Sequence, residues 1–296
     1  MNFIGLLIFA IYAALFMGVF VAVILWVQQK RRTRRPCGKD VRLMRMPREY
    51  LWHRVIKHDE FDMLWTFGLM LVPIIVGGVV LQITALFLGK TIAALVIAIV
   101  LFVFSMLLCI QRLVIRLRNR SNEYLGFFGE RYVAECLEPL KSKGWFIFHD
   151  IQCDGATGKF NLDHVAVGPG GIWVVETKTR RKGHVRSGFK ENHVTFDGLK
   201  IIWPWWDDTT SIRQAANNAN WLQKWLQTMT GKKFDIAAVL AFPGFLVEEQ
   251  KLGGVRLAEP PKLPQVLTGH GKIVLSVDDL DLIRRQLEAK CRDVEY

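Results

Sequence analysis

Cysteine is scarce and scattered. The five in the chain, Cys37, Cys109, Cys136, Cys153 and Cys291, make no C-x-x-C pair, which excludes a zinc ribbon. Free thiols in a reducing compartment are the simplest reading. The start of the chain lacks the parts of a cleaved signal: there is no basic opening, no short apolar core and no small-residue cleavage site. Ionisable residues are missing from the centres of the long apolar runs, which speaks against a transporter or a proton path. Acid is also in short supply. There are 27 Asp and Glu against 39 Lys and Arg, for a formal net charge of +12.

Apolar residues are abundant and concentrated in the first 115 positions. They make up 51% of the chain, and the mean hydropathy is +0.21. Phe3 to Val27 is twenty-five residues without a charge, enough to span a bilayer core. Met63 to Leu88 and Ile92 to Ile110 read as two further spans, with Pro73 and Gly77-Gly78 inside the first of them. Residues 28 to 62 carry eleven Lys and Arg, which marks this loop as cytoplasmic and places the N-terminus outside. Within it, the stretch from Pro47 to Lys57 mixes aromatics with bases, as an interfacial helix would. The expected architecture is therefore an α-helical membrane region, 1–117, with transmembrane helices at about 3–27, 63–88 and 92–110. A cytoplasmic α/β domain, 118–296, follows. The expected location is the cytoplasmic (inner) membrane, with the lipid bilayer as one partner.

The second region is organised around a hairpin. Phe160 to Val167 is strand-like, Gly168-Pro169-Gly170-Gly171 is turn chemistry, and Ile172 to Thr177 is strand-like again. With that loop, Val167 pairs with Ile172. Asp163 then lies opposite Glu176, and Asn161 opposite Lys178. Period two puts Glu176 and Lys178 on one face. Like charges directly opposite on a sheet are unfavourable. Either both acids sit on a solvated face, or a divalent cation joins them. Mg²⁺, which takes one or two carboxylates and keeps water in its shell, suits the spacing.

Around the hairpin, a helix is expected from Ser121 to Leu140, with Leu125, Phe128, Tyr132 and Cys136 as its core stripe. Glu130 falls off that stripe, and Gly126 clears space one turn earlier. Trp145 to His149 reads as a short strand entering a loop, Asp150 to Gly158. His149, Asp150, Cys153 and Asp154 match no standard metal spacing. Arg180, Arg181, Lys182 and Arg186 make a basic edge just past the acids, where a phosphodiester backbone would need neutralising. Asp197-Gly198 centres a second hairpin. Trp203, Trp205 and Trp206 fill the core, rest at an interface, or stack on bases. A helix over 211–229 carries Gln214, Asn217 and Asn218 along one side. Phe234 to Phe242 is a buried strand, Pro260, Pro261 and Pro264 an irregular edge, and 272–275 a last strand. Ser276 caps a terminal helix.

Five pieces in order carry a family resemblance: Gly129-Glu130, Asp163-His164-Val165 through Gly171-Ile172, Glu176-Thr177-Lys178, Lys182-Gly183, and Gln214. Together they resemble the nuclease-related domain (NERD) of the PD-(D/E)xK nuclease superfamily, over roughly residues 121 to 245. The resemblance implies a restriction-endonuclease-like fold with a central mixed β-sheet flanked by helices. It implies a nuclease hydrolysing DNA, less readily RNA, with Mg²⁺ or Mn²⁺. Its catalytic residues would be Asp163, Glu176, Lys178, Glu130 and Gln214. Asp163, Glu176, Thr177 through its carbonyl, and Glu130 would hold metal. Arg180, Arg181, Lys182 and Arg186 would grip nucleic acid. No base-reading motif is present. With the membrane region, these features suggest action on incoming foreign DNA. The rival expectation is a catalytically inactive, membrane-tethered nucleic-acid-binding or scaffold protein. Self-association and a helicase-type partner are left open.

Overall fold

The structure is a computed structural model that describes residues 45–47, 68, 71–72, 75–80, 82–83, 92–155, 158–249, 253–269 and 275–292. The chain divides into two compact units. One comprises Met1–Val41, Arg54–Arg120 and Tyr296, and the other Arg42–His53 and Ser121–Glu295.

The expectation of three transmembrane helices is corrected. Among the described residues, no helix is long and apolar enough to cross a membrane. Residues 92–110 are not a separate element. They open one 46-residue helix, α1 (Ile92–Leu137), which runs on through Arg112, Arg116, Arg118 and Arg120. Of 63–88, residues 68, 71–72, 75–80 and 82–83 are described and helical. The span 3–27, and the basic loop apart from 45–47, lie outside the described residues. The inner-membrane location is corrected by the same finding, and nothing among the described residues supports a bilayer partner.

The helix expected to start at Ser121 starts 29 residues earlier. No Gly or Pro interrupts residues 92–125, so nothing stops the helix before the domain. Ser121 is no cap; its Oγ accepts a hydrogen bond from the Arg181 guanidinium. A 3₁₀ segment, Glu138–Lys143, follows α1 and ends on left-handed Gly144.

The central sheet has five strands: β1 (Phe146–Gly155), β2 (Gly158–Gly168), β3 (Gly171–Thr177), β7 (Ile236–Ala241) and β9 (Val255–Ala258), in that spatial order. β1, β2 and β3 pair antiparallel in succession, β7 pairs parallel with β3, and β9 pairs parallel with β7. A second sheet orders β6 (Asp207–Asp208), β5 (Ile201–Ile202), β4 (His193–Phe196) and β8 (Leu246–Glu249).

Alternation along the strands builds two cores. Val165, Val167, Ile172 and Val174 face α2 (Thr210–Thr230) and α4 (Val277–Cys291), which supply Ala215, Ala219, Leu222, Leu226, Ile283 and Leu287. Ala166, Trp173 and Val175 face the other way. They meet Val133 and Leu137 of α1, and Leu263 and Leu267 of α3 (Leu263–Thr268). Complete burial of each of the Val, Leu and Ile side chains contributes about 1.5–3 kcal/mol. The sheet is mixed and carries helices on both faces, so residues at its strand ends meet side chains from two layers.

Two local expectations change. Asp150 to Gly158 is no loop: β1 continues to Gly155 and pairs with β2 down to Gly155 opposite Gly158. Buried Ile151 and Cys153 hold it there, despite a turn-like composition. The proline-rich edge is a 3₁₀ turn, Pro260–Lys262, leading into α3. Residues 272–274 of the expected last strand lie outside the described residues. Ser276 caps α4 through the Asp279 N–H at 3.1 Å.

The β2–β3 turn is tighter than four residues. Gly168 pairs with Gly171, leaving Pro169-Gly170 as the loop, and Val167 still faces Ile172. A Cβ on Gly168 would lie 2.1 Å from the Trp145 ring, and Trp145 is 4% exposed. Gly168→Ala is expected to cost about 2–3 kcal/mol through overpacking, read from chemical denaturation.

Candidate active site

The hairpin register carries Asp163 to the place opposite Glu176, one step beyond the His164–Val175 pair. Strand β3 ends there, and its last backbone donor turns to the acid: the Thr177 N–H donates to Asp163 Oδ2 at 2.8 Å. Glu176 shares the face of Val174 and so points at α2.

Glu176 is 3% exposed and fully engaged. Its Oε1 accepts from Lys178 Nζ at 2.9 Å and Gln214 Nε2 at 2.8 Å. Its Oε2 accepts from Asn218 Nδ2 at 2.8 Å. Lys178 Nζ also donates to Gln214 Oε1 at 2.8 Å. Lys178, Glu176 and Gln214 thus close a ring in which each touches the other two. Charge-assisted bonds of this kind fix a buried carboxylate's rotamer.

Asp163 stands differently. Burial pushes its carboxyl well above the usual range, and the carboxylates of Glu176 and Glu130 push it further. The Thr177 N–H and the Lys178 ammonium pull the other way without prevailing. Glu130 comes from α1 and is 5% exposed. It lines the same pocket of about 490 Å³ as Asp163, Glu176, Thr177, Lys178 and Gln214. The close approach of α1 depends on Gly129, where a Cβ would lie 2.5 Å from the Thr179 side chain.

The four basic candidates separate. Arg180 and Arg181 line the pocket. Lys182 is exposed and pairs with Glu191 at 3.8 Å. Arg186 staples its loop to the next turn, donating to Trp203 O at 2.6 Å and to Asp207 Oδ1 at 2.9 Å. Lys182 and Arg186 do not reach the pocket wall.

Two residues that the sequence placed without assigning them a role join the site. Asn218, one helical turn beyond Gln214 on the same side of the helix, reaches Glu176. Asn161 lines the pocket and donates to Asp150 Oδ1 at 2.6 Å. Asp150 has φ 48°, which Asp tolerates better than most residues, and faces Arg45 at 3.5 Å. Behind the site, His149 and His164 meet Nδ1 to Nδ1 at 2.8 Å, and His164 Nε2 lies 3.4 Å from Thr177 Oγ1. Burial drives His149 down to about 4 and His164 well below its usual value.

Among the described residues, no group of three or more His, Cys, Asp or Glu forms a ready metal cluster. The donors that do converge are all hard oxygens, and two carboxylates with water suffice for Mg²⁺. Burial first, and then the neighbouring carboxylates, disfavour an ionised Asp163, and a divalent cation would offset both, so the residues fit such an ion.

Residues 125–243 match the family model of the nuclease-related domain, NERD. The matched segment contains Glu130, Asp163, Glu176, Lys178 and Gln214. No curated protein and no solved structure matches the chain.

Proposed function

We propose that this chain is a metal-dependent nuclease that hydrolyses phosphodiester bonds of DNA, with its active site in the pocket between α1, the β2–β3 hairpin and α2. One observation carries the reading: Asp163 is held against Glu176 and Glu130 at unfavourable electrostatic cost, beside a Lys178 ammonium fixed by Glu176 and Gln214. A fold without chemistry to perform there has no use for that arrangement.

Asp163, Glu176 and the Thr177 carbonyl would hold Mg²⁺ or Mn²⁺, with Glu130 completing the set. When bound, the ion supplies Lewis-acid polarisation of the phosphoryl group and a lower pKa for water. Lys178 orients the attacking water and stabilises negative charge developing on the phosphoryl oxygens. Gln214 and Asn218 hold Glu176 in place, and Gln214 also aims Lys178. Arg180 and Arg181 neutralise the backbone flanking the scissile phosphate. Water adds to phosphorus as the P–O bond to the leaving nucleotide breaks; the water gives up a proton to solvent, and the leaving oxygen takes one from solvent. The expected role on incoming DNA depended on membrane spans, and among the described residues no helix is long and apolar enough to provide one.

The test is to incubate the full chain with linear, circular and single-stranded DNA, with Mg²⁺, with Mn²⁺ or with EDTA. Cutting that requires metal and falls by about 10²–10³-fold in Lys178→Met supports the reading. Binding without cutting under every metal would overturn it and leave a nucleic-acid-binding protein.

A further inference from the structure

The three tryptophans after β5 divide sharply. Trp203 is fully buried against Phe242 and Phe245, with ring centroids 5.4 and 5.0 Å away. Trp205 packs partly buried beside it, 5.9 Å from Phe245. Trp206 alone is turned out, at 41% exposure. The turn that carries it is fixed at both ends. The Trp203 N–H donates to Trp206 O at 2.9 Å, and the Arg186 backbone N–H donates to Pro204 O at the same distance. An exposed indole on so firmly tied a turn is a preorganised flat surface.

Its neighbour connects it to the pocket. The Arg180 guanidinium lies over the Trp206 ring, 5.8 Å from the centroid, and Arg180 also lines the pocket of Asp163 and Glu176. Arg180 Nε is buried without a hydrogen-bond partner, and its Nη1 makes one long bond to Thr179 O at 3.4 Å. Among the described residues no carboxylate pairs with Arg180, in contrast to Arg186, which is paired with Asp207. The same basic loop repeats the pairing: Arg186 stacks 4.4 Å from the ring of Phe189, which is 43% exposed.

A cation interleaved with exposed rings is the surface that unpaired nucleotides select. The arginine takes a phosphate, and every base offers a face to the ring. Duplex DNA hides those faces except at its ends. We propose that Trp206 and Arg180 form a base-stacking subsite at the edge of the active pocket, and that it makes single-stranded DNA the preferred substrate. Arg180 holds a phosphate next to the scissile one, and Trp206 stacks on the base attached there. This subsite rests on the nuclease reading above, since it is defined by its adjacency to that pocket.

The experiment measures binding of the full chain in EDTA, so that nothing is cut. The probes are a labelled single strand, the same strand with abasic sites, and a duplex of the same sequence closed by hairpins at both ends. The parent is expected to prefer the single strand. Trp206→Ala is expected to weaken single-strand binding by about 10- to 100-fold and closed-duplex binding by less than about 3-fold. Trp206→Phe keeps most of the single-strand affinity, and abasic sites reduce the parent to the level of Trp206→Ala. Unchanged thermal midpoints for both variants show that the fold is intact. Equal affinity of the parent for the two DNAs, or an equal loss on both in Trp206→Ala, overturns the subsite. If metal-dependent cutting persists in that case, the nuclease reading stands without it. Absence of binding to either DNA overturns the subsite, and the cleavage assay with metal decides the nuclease reading separately.

Discussion

Asp163→Asn is expected to reduce metal-dependent cleavage by about 10³-fold or more while leaving the metal-free protein as stable as the parent, or more stable. Asparagine matches the shape of aspartate, and its Oδ1 can still accept the Thr177 N–H that now reaches Asp163 Oδ2 at 2.8 Å. The substitution removes a group that burial, Glu176 and Glu130 all drive away from its charged form. Stability is thus relieved where function is lost, the behaviour of an acid kept for chemistry. Glu176→Ala provides the contrast. It strips the acceptor from Lys178, Gln214 and Asn218 at once. Leaving those donors unsatisfied is expected to cost about 2–4 kcal/mol in addition to the activity. Urea titrations in EDTA, run beside the cleavage assay, separate the two. A loss of several kcal/mol in Asp163→Asn would make Asp163 a structural acid and remove the site's main support.

The hairpin was legible because two signals agree locally. Glycine and proline at 168–171 permit one reversal, and the apolar runs on each side permit one register. The structure tightens the turn by a pair without changing which residues face each other. What lies across the fold was not legible. Asn218 reaches Glu176 across 42 positions, and the His149–His164 contact depends on a β1 that composition disguises as a loop. Trp203 and Trp206 are chemically identical, so only tertiary packing separates the buried ring from the exposed one. Residues 92–110 show the opposite failure. Local apolarity reads as a self-contained span, yet hydropathy in a window does not register that the helix continues into the domain. The charge of Arg186 is visible in sequence, whereas its carbonyl and Asp207 partners are not.

Stability is expected to fall by about 2 kcal/mol between pH 7 and pH 5 through His149 alone. His149 and His164 face each other through Nδ1 atoms 2.8 Å apart, so one ring must donate and the other accept. A second proton would set donor against donor and place charge where His164 has no exposure. His149 accordingly sits at about 4, lowered first by burial and then by the Lys141 ammonium. In the unfolded chain the same side chain titrates near about 6.5. The sign follows from proton counts. Between those values the unfolded state binds a proton that the native state refuses, so acid favours unfolding. The contribution is whole above about pH 6.5 and is lost as pH falls toward 4. His149→Gln keeps a partner for His164 Nδ1 but does not titrate, so its stability should decline less steeply over the same range. Denaturant titrations at pH 7, 6 and 5 on parent and variant measure the difference. Parallel slopes would mean that the pair is protonated freely in the native state.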